Sequence, residues 1–489
     1  MQLYELTVQE TVQGVRSKKF SASEVFEASM AQAVACESRL SALITLTVEK
    51  GREQACAIDA KIARGEDPGP LAGVPVVLKD NICTRGVRTT AASTVLGHWS
   101  PPYDATVWGL LQDAGALLLG KGNMDEFAMG NTCGSSSFGY TANPWDLTRV
   151  PGGSSGGSAA ATAAGYAPFA LGTDTGGSIR QPASFCGIHG MKPTYGAVSR
   201  YGVIAYGSSL DQVGPFARTI EDLALVMQVL ARHDFRDSTS VAGKGLDFSL
   251  APAALKGKRV ALVKDFEGFS LAGPIQEAKK RVLAVLKEEG AEIVEVELPT
   301  VARYAVACYY AIALSEASTN LGRYDGVRLG YTTGSSTDVR EMFEEVRSQG
   351  FGFEVKSRII AGTCLTDSSR SEEYYIAATK VRALIAREFE QAFKKADFIL
   401  QPVTPELPAK IGDAHEDAIK GYESDLYTLP VNLAGLPGLT FYVGHSENGL
   451  PVGLQLLGPR WSDAELLSAG LVLEGYLGKP RIATGGVSE

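Results

Sequence analysis

Between Gly152 and Ser178, 22 of 27 residues are Gly, Ala, Ser or Thr. A stretch with so few large side chains is either a flexible linker or a place where backbone passes very close to other backbone. Order inside the stretch decides against the linker. Ala159 to Ala164 is good helix sequence and Phe169 to Leu171 a fair strand, so the glycines flank elements instead of diluting them. The expectation is two tight turns inside a folded core.

The rest of the chain agrees with a core. Hydrophobic residues make up 45% and charged residues 21%, a globular composition that excludes a disordered or fibrous chain. Lys and Arg number 46 against 55 Asp and Glu, a net charge of −9, which argues against gripping nucleic acid unaided. No apolar run reaches the ~18 residues of a membrane span. Met1 to Glu10 carries Glu5 and Glu10 and no basic segment, so a secretory signal is not expected there. The seven cysteines are scattered, odd in number and without a Cys-x-x-Cys pair, which fits neither a disulfide framework nor a zinc site. A reducing, cytoplasmic setting is expected. Of the five histidines (His98, His189, His233, His415, His445), none stands at metal-ligand spacing, apart from the adjacent pair His415-Glu416, which could not easily share one ion. No metal site is expected.

The elements read as α/β. Thr7-x-x-Glu10 and Ser21-x-x-Glu24 are capping boxes that start helices, and a third helix runs near Glu49 to Ala63. Strands are expected at Val74 to Leu78, Ala116 to Leu119, Arg259 to Val263, Glu292 to Val296, Phe398 to Leu400, Leu439 to Val443 and Val452 to Leu457, the last two around Asn448-Gly449. Helices are expected at Asp104 to Gly115, Ile275 to Glu289 and Glu372 to Lys394, with a last one capped at Ser462-x-x-Glu465. Helices alternating with short apolar strands predict a mixed sheet with helices on both faces. No composition break marks a boundary. A single domain over 1–489 is expected, with a helical N-terminal segment at 1–65 and an α/β/α core at 66–489.

Chemistry concentrates in two loops, Gly152-Gly153-Ser154-Ser155-Gly156-Gly157-Ser158 and Thr173-Asp174-Thr175-Gly176-Gly177-Ser178. Successive N–H groups in such loops cradle an anion, either a phosphate or the oxyanion of an acyl-transfer intermediate. The phosphate reading lacks the Gly-x-x-x-x-Gly-Lys-Ser/Thr pattern and its lysine. Two loops that each present serine favour acyl transfer. One version takes Gly152-x-Ser154-x-Gly156 as a hydrolase nucleophile elbow with His415 or His445 as base, although no strand precedes it. The other base available is Lys79, at the end of the apolar run Val74 to Leu78, which could act only if burial lowered its pKa.

Val74 to Asn81, Pro151 to Ser158 and Gly172 to Pro182 together resemble the amidase signature family, and the likeness extends over nearly the whole chain. Asn123 to Gly130, Asn143 to Asp146, Ser209 to Pro215 and Asn320 to Arg328 are similar to one branch, the glutamine-hydrolysing subunits of amidotransferases acting on Glu-tRNA(Gln). The resemblance implies an α/β amidase signature fold, a mixed sheet sandwiched by helices. It implies a Ser-Ser-Lys triad of nucleophile Ser178, relay Ser154 and base Lys79, with an oxyanion hole at Thr175, Gly176 and Gly177. It implies that Tyr309, Arg358 and Asp425 contact glutamine, whose carboxylate and ammonium need opposite charges. Taken alone, each of these three reads as an ordinary surface residue. It further implies no cofactor in this chain, with ATP and Mg used by a partner B subunit that receives ammonia and converts Glu-tRNA(Gln) to Gln-tRNA(Gln), and a small C subunit bracing the heterotrimer. The alternatives are a stand-alone amidase for another small amide, an esterase built on Ser154 and a histidine, and a non-catalytic scaffold. Two positions depart from the family pattern: Thr363 to Ser371, usually more apolar, and His189, usually aliphatic.

Overall fold

The computed structural model describes residues 2–242, 244, 246–250, 255–331, 338–413 and 424–483. Its centre is an 11-stranded mixed sheet. In chain order the strands are β1 (Leu43–Leu46), β2 (Pro75–Lys79), β3 (Leu117–Gly122), β4 (Phe169–Asp174), β5 (His189–Lys192), β6 (Gln212–Ala217), β7 (Arg259–Val263), β8 (Glu292–Val296), β9 (Phe398–Pro402), β10 (Gly438–His445) and β11 (Pro451–Leu457). Across the sheet they run β1-β3-β2-β4-β6-β5-β10-β11-β9-β7-β8. The trio β3, β2, β4 is parallel, as is β9, β7, β8, and the strands between them pair antiparallel.

Side chains on a strand alternate between faces, and here the alternation sorts the core. Val76 and Leu78 of β2 and Leu118 of β3 enter one apolar cluster. Val77, Leu117 and Leu119 enter another on the opposite face. A third cluster, under helix Pro299–Asn320, takes Ile399 of β9 while its neighbour Leu400 joins the first. Every residue of β2, β3 and β4 is buried, which explains why these strands read as continuous apolar runs.

Both N-terminal capping boxes form. Thr7 Oγ1 accepts from the Glu10 N–H and Ser21 Oγ from the Glu24 N–H, and each Glu reaches back to the cap N–H. The expected strands are found: Arg259–Val263 and Glu292–Val296 with the expected bounds, and the others with ends shifted by one to three residues. The first sixty residues are not all helical, because β1 pairs antiparallel with β3. Strands β5 and β6, with sequences His-Gly-Met-Lys and Gln-Val-Gly-Pro-Phe-Ala, carry too little apolar patterning to be read as strands. The last helix, Asp463–Leu477, starts where expected, but Ser462 does not cap it: its hydroxyl donates to the Pro459 carbonyl. His189 is fully buried at the start of β5, and its Nε2 lies 3.1 Å from Glu474 of the last helix. That buried partner gives the histidine a polar contact inside the core. All seven cysteines are free thiols.

Candidate active site

Lys79 closes β2, and Thr173 and Asp174 close β4. These parallel neighbours end at the same edge of the sheet, where open α/β sheets place their ligands. Lys79 is fully buried, and its Nζ donates to Ser154 Oγ at 2.7 Å and to Thr173 Oγ1 at 2.9 Å. Burial pushes the Lys79 pKa down to about 7, with Asp125 the chief charge acting the other way. A lysine in that range is a competent base for a hydroxyl held against it.

Ser154 sits in the loop leading to helix Gly156–Ala163, after a cis Gly153–Ser154 peptide bond. The loop is tied at three points. The Gly153 N–H donates to Gln181 Oε1 at 3.0 Å, the Asp125 N–H to the Ser154 carbonyl at 3.1 Å, and the Ser155 N–H to the Ser178 carbonyl at 3.3 Å. No strand leads directly into this loop, as a nucleophile elbow requires. Histidine is not brought to Ser154 among the described residues. His445 Nδ1 lies 2.7 Å from the Tyr442 hydroxyl and its ring packs on Trp145, His189 pairs with Glu474, and His98 and His233 are exposed. His415 lies outside the described residues.

Ser178 follows the second loop, just before helix Arg180–Cys186. The turn is organised by Asp174, whose carboxylate accepts from the Gly177 N–H at 2.8 Å, the Ile179 N–H at 3.2 Å and Arg180 Nε at 3.1 Å. Against the upward push of burial, the adjacent Arg180 guanidinium holds this carboxyl below the usual carboxylate range. Arg180 is itself fully buried and also donates to Asn432 Oδ1 and the Thr428 carbonyl. Thr175 Oγ1 donates to Asp211 at 2.7 Å and Thr428 Oγ1 to the Gly176 carbonyl at 2.7 Å. Glycine is required at position 177, where φ is +131° and a Cβ would lie 2.6 Å from Thr428 Oγ1. Of the expected oxyanion donors, Gly177 thus shares its N–H with Asp174.

A cavity of about 380 Å³ opens over this turn, lined by Ser178, Gly176 and Gly177 and also by Tyr309, Arg358 and Asp425. Its size suits a small ligand. The three residues that read as surface positions are not surface residues. Tyr309 is 5% exposed, the Arg358 side chain 14%, and Asp425 is half-buried. Tyr309 lies on helix Pro299–Asn320 and Arg358 on Phe353–Thr366, two helices packed against each other. Asp425 accepts from Asn131 Nδ2 and the Tyr310 hydroxyl, each at 3.3 Å, and burial raises its pKa to about 6. Arg358 donates through Nε to Glu354 at 2.8 Å and through Nη1 to the Tyr206 hydroxyl at 2.6 Å. Glu354, Tyr206 and Asn131 line the cavity and carry no clear mark in the sequence, and Asp125 lines it too, inside the branch-like stretch Asn123 to Gly130 but not itself singled out there. Only the i, i+4 spacing of Glu354 and Arg358 could have signalled one of them. The departing stretch Thr363 to Ser371 ends the Arg358 helix, whose last residue is Thr366, and contributes nothing to the cavity lining. Among the described residues, no group of three or more His, Cys, Asp or Glu could hold a metal ion, and no helix is long and apolar enough to cross a membrane.

A buried lysine hydrogen-bonded to one serine, with a second serine on a glycine turn beside it and a small-ligand cavity above, is equipment for serine acyl transfer with lysine in the place of the base. The chain belongs to the amidase family, whose model matches residues 24–467. It is 50% identical to the A subunit of the glutamyl-tRNA(Gln) amidotransferase from Heliobacterium modesticaldum over 97% of each chain, and 47% identical to its counterpart from Picosynechococcus over 94% of this chain and 95% of the relative. Among solved structures it is similar to the same subunit from Thermotoga maritima (36% identity, TM-score 0.80, 99% of both chains) and to the peptide amidase of Stenotrophomonas maltophilia (30% identity, TM-score 0.82, 99% of both chains).

Proposed function

We infer that this chain is the glutamine-hydrolysing subunit of a tRNA-dependent amidotransferase. One observation carries the reading: a single cavity holds a serine beside an N–H turn together with a guanidinium, Arg358, and a carboxylate, Asp425. That set complements glutamine, which has an amide at one end and a carboxylate and ammonium at the other. The relatives of matching length carry the corresponding name.

In the reaction Lys79 starts as the neutral amine. Ser178 Oγ attacks the glutamine amide carbon, its proton passes to Ser154 Oγ, and Ser154 gives its own proton to Lys79 Nζ. The oxyanion faces the Thr175-Gly176-Gly177 turn, where N–H donors are fixed before charge develops. Collapse expels ammonia, which takes its proton back along the same path and leaves a glutamyl-Ser178 ester. Water, deprotonated by the same relay, then releases glutamate. Tyr309 closes the amide end, Arg358 takes the α-carboxylate and Asp425 the α-ammonium.

Residues 1–489 act as one unit in this reading. The chain needs no cofactor. ATP and Mg serve a partner B subunit, which takes the ammonia to convert Glu-tRNA(Gln) to Gln-tRNA(Gln) in the cytoplasm, and a C subunit holds the pair. The test is ammonia release from glutamine by the chain co-purified with B and C subunits. Release lost on Ser178→Ala, with a plain aliphatic amide hydrolysed far less well than glutamine, supports it. Equal turnover of the two amides would favour a stand-alone amidase.

A further inference from the structure

The Asn123 to Gly130 stretch has no part in the proton path above, yet it delivers a buried carboxylate to it. Asp125 is fully buried and lines the active-site cavity. Its Oδ2 accepts from the Cys133 N–H at 2.9 Å, and its Oδ1 from the Gly134 N–H at 3.0 Å, the Ser135 N–H at 3.2 Å and Ser135 Oγ at 3.1 Å. Its own N–H donates to the Ser154 carbonyl. The carboxylate lies so close beneath the Ser154 loop that a Cβ on Gly153 would come within 2.1 Å of Oδ2, and a Cβ on Gly130 within 2.5 Å of Cγ. Glycine at positions 130 and 153 thus leaves the room that the Asp125 carboxylate occupies.

We propose that Asp125 is the positioning residue of the catalytic base: it fixes the Ser154 loop and supplies the negative charge that stabilises the Lys79 ammonium formed on nucleophilic attack. The inference rests on Lys79 being the base. Asp125 and Lys79 meet at Ser154, whose carbonyl accepts the Asp125 N–H and whose Oγ accepts from Lys79 Nζ, and the other groups whose charge bears on Lys79 are Cys133, Asp211 and Asp174. Cys133 is a thiol that burial pushes up to about 12, so it is neutral. Asp174 is committed to Arg180, and Asp211 to the Thr175 hydroxyl and the N–H groups of Tyr206 and Gly207. Asp125 has no cation of its own other than Lys79 among the described residues. Burial raises its pKa, and the N–H groups of the 133–135 loop and Lys79 oppose that rise by favouring the anion.

The sign of the effect follows. A neighbouring anion raises a lysine pKa, so removing it lowers that of Lys79 further. The upper of the two acid limbs of kcat/KM for glutamine, the one set by the pH at which Lys79 becomes neutral, should move down by about one unit in Asp125→Asn, toward the limb set by Asp425. The plateau kcat should fall at least tenfold, because the ammonium loses its counter-charge in the transition state. Ser135→Ala removes one of the hydrogen bonds to the Asp125 carboxylate, along with the Ser135 hydroxyl's contacts to the Glu126 N–H and the Met129 carbonyl, and keeps the charge, so its limb should stay in place. Asp125→Ser, neutral and smaller, replaces Asp125→Asn if the amide disturbs the 133–135 loop, and circular dichroism identifies the folded variants. Limbs that coincide in wild type and a folded neutral variant overturn the proposal, as does a limb that shifts equally in Ser135→Ala. Lys79→Ala is measured alongside. If it keeps its activity, the lysine assignment itself has failed, which is a different result from an unmoved limb with Lys79→Ala inactive.

Discussion

With its pKa near 7, Lys79 has a neutral fraction where an ordinary lysine, near 10.4, is almost wholly charged. Activity should therefore rise as pH increases through about 7 and fall below it, since the protonated amine cannot accept the Ser154 proton. Asp425, raised to about 6, adds a second loss on the acid side: once protonated it no longer pairs with the substrate ammonium. A kcat/KM profile for glutamine should thus be steeper below pH 6 than one for an amide lacking the α-amino group. Lys79→Ala should cost at least ~10³ in kcat, since only the oxyanion turn and binding remain, while His445→Ala should stay active. The two serine loops and Lys79 at an apolar strand end were visible as candidates, but local pattern left a Ser154–histidine elbow open beside them, and only the family resemblance gave Ser178, Ser154 and Lys79 their roles. Asp125 and Glu354 were not visible as candidates. A carboxylate one residue from another, or four from an arginine, looks like any solvated charge until the fold buries it.

At the scale of the element, the turn before Ser178 hangs on the Asp174–Arg180 pair, both side chains fully buried. Removing one member strands the other charge in the interior, a loss of about 3–5 kcal/mol for buried pairs. Arg180→Ala should show that loss in chemical denaturation, and it should cost activity even at temperatures where the variant stays folded. Gly177→Ala should lose both stability and turnover, because the strain at φ +131° and the Thr428 contact fall on the buried oxyanion turn. Periodicity and capping revealed β2, β3, β4 and the N-terminal helices, since their burial patterns are simple. Strands β5 and β6 escaped because their pairing with each other, and with β10 and β4, comes from tertiary contacts rather than from local patterning. Helix Pro299–Asn320 was hidden for another reason. It buries Tyr309 on one side and packs two helices on others, so it shows no clean amphipathic stripe.

Over the whole molecule, the site is assembled from segments far apart in sequence. Lys79 and Ser154 are 75 positions apart, and the side chains facing the substrate come from positions as distant as Tyr309 and Asp425. Only the family resemblance could gather these in advance, and no local pattern marks Arg358 or Asp425. Their roles make a specificity prediction. Arg358→Lys should fail nearly as badly as Arg358→Ala, because a point charge cannot reproduce a planar fork. Asp425→Asn should weaken glutamine by about 1.5–3 kcal/mol, the range for a hydrogen bond to a charged group, and should spare a plain amide. Equal losses on both substrates would assign Asp425 to the fold. The central claim is that this assembly ends in one acyl-forming hydroxyl served by one lysine. Peptide mass spectrometry after reaction with a glutamine-like electrophile tests it most directly. The expected result is a single adduct on Ser178, absent in Ser178→Ala, greatly slowed in Lys79→Ala and unchanged in His445→Ala. An adduct on Ser154, or undiminished labelling without Lys79, would contradict it.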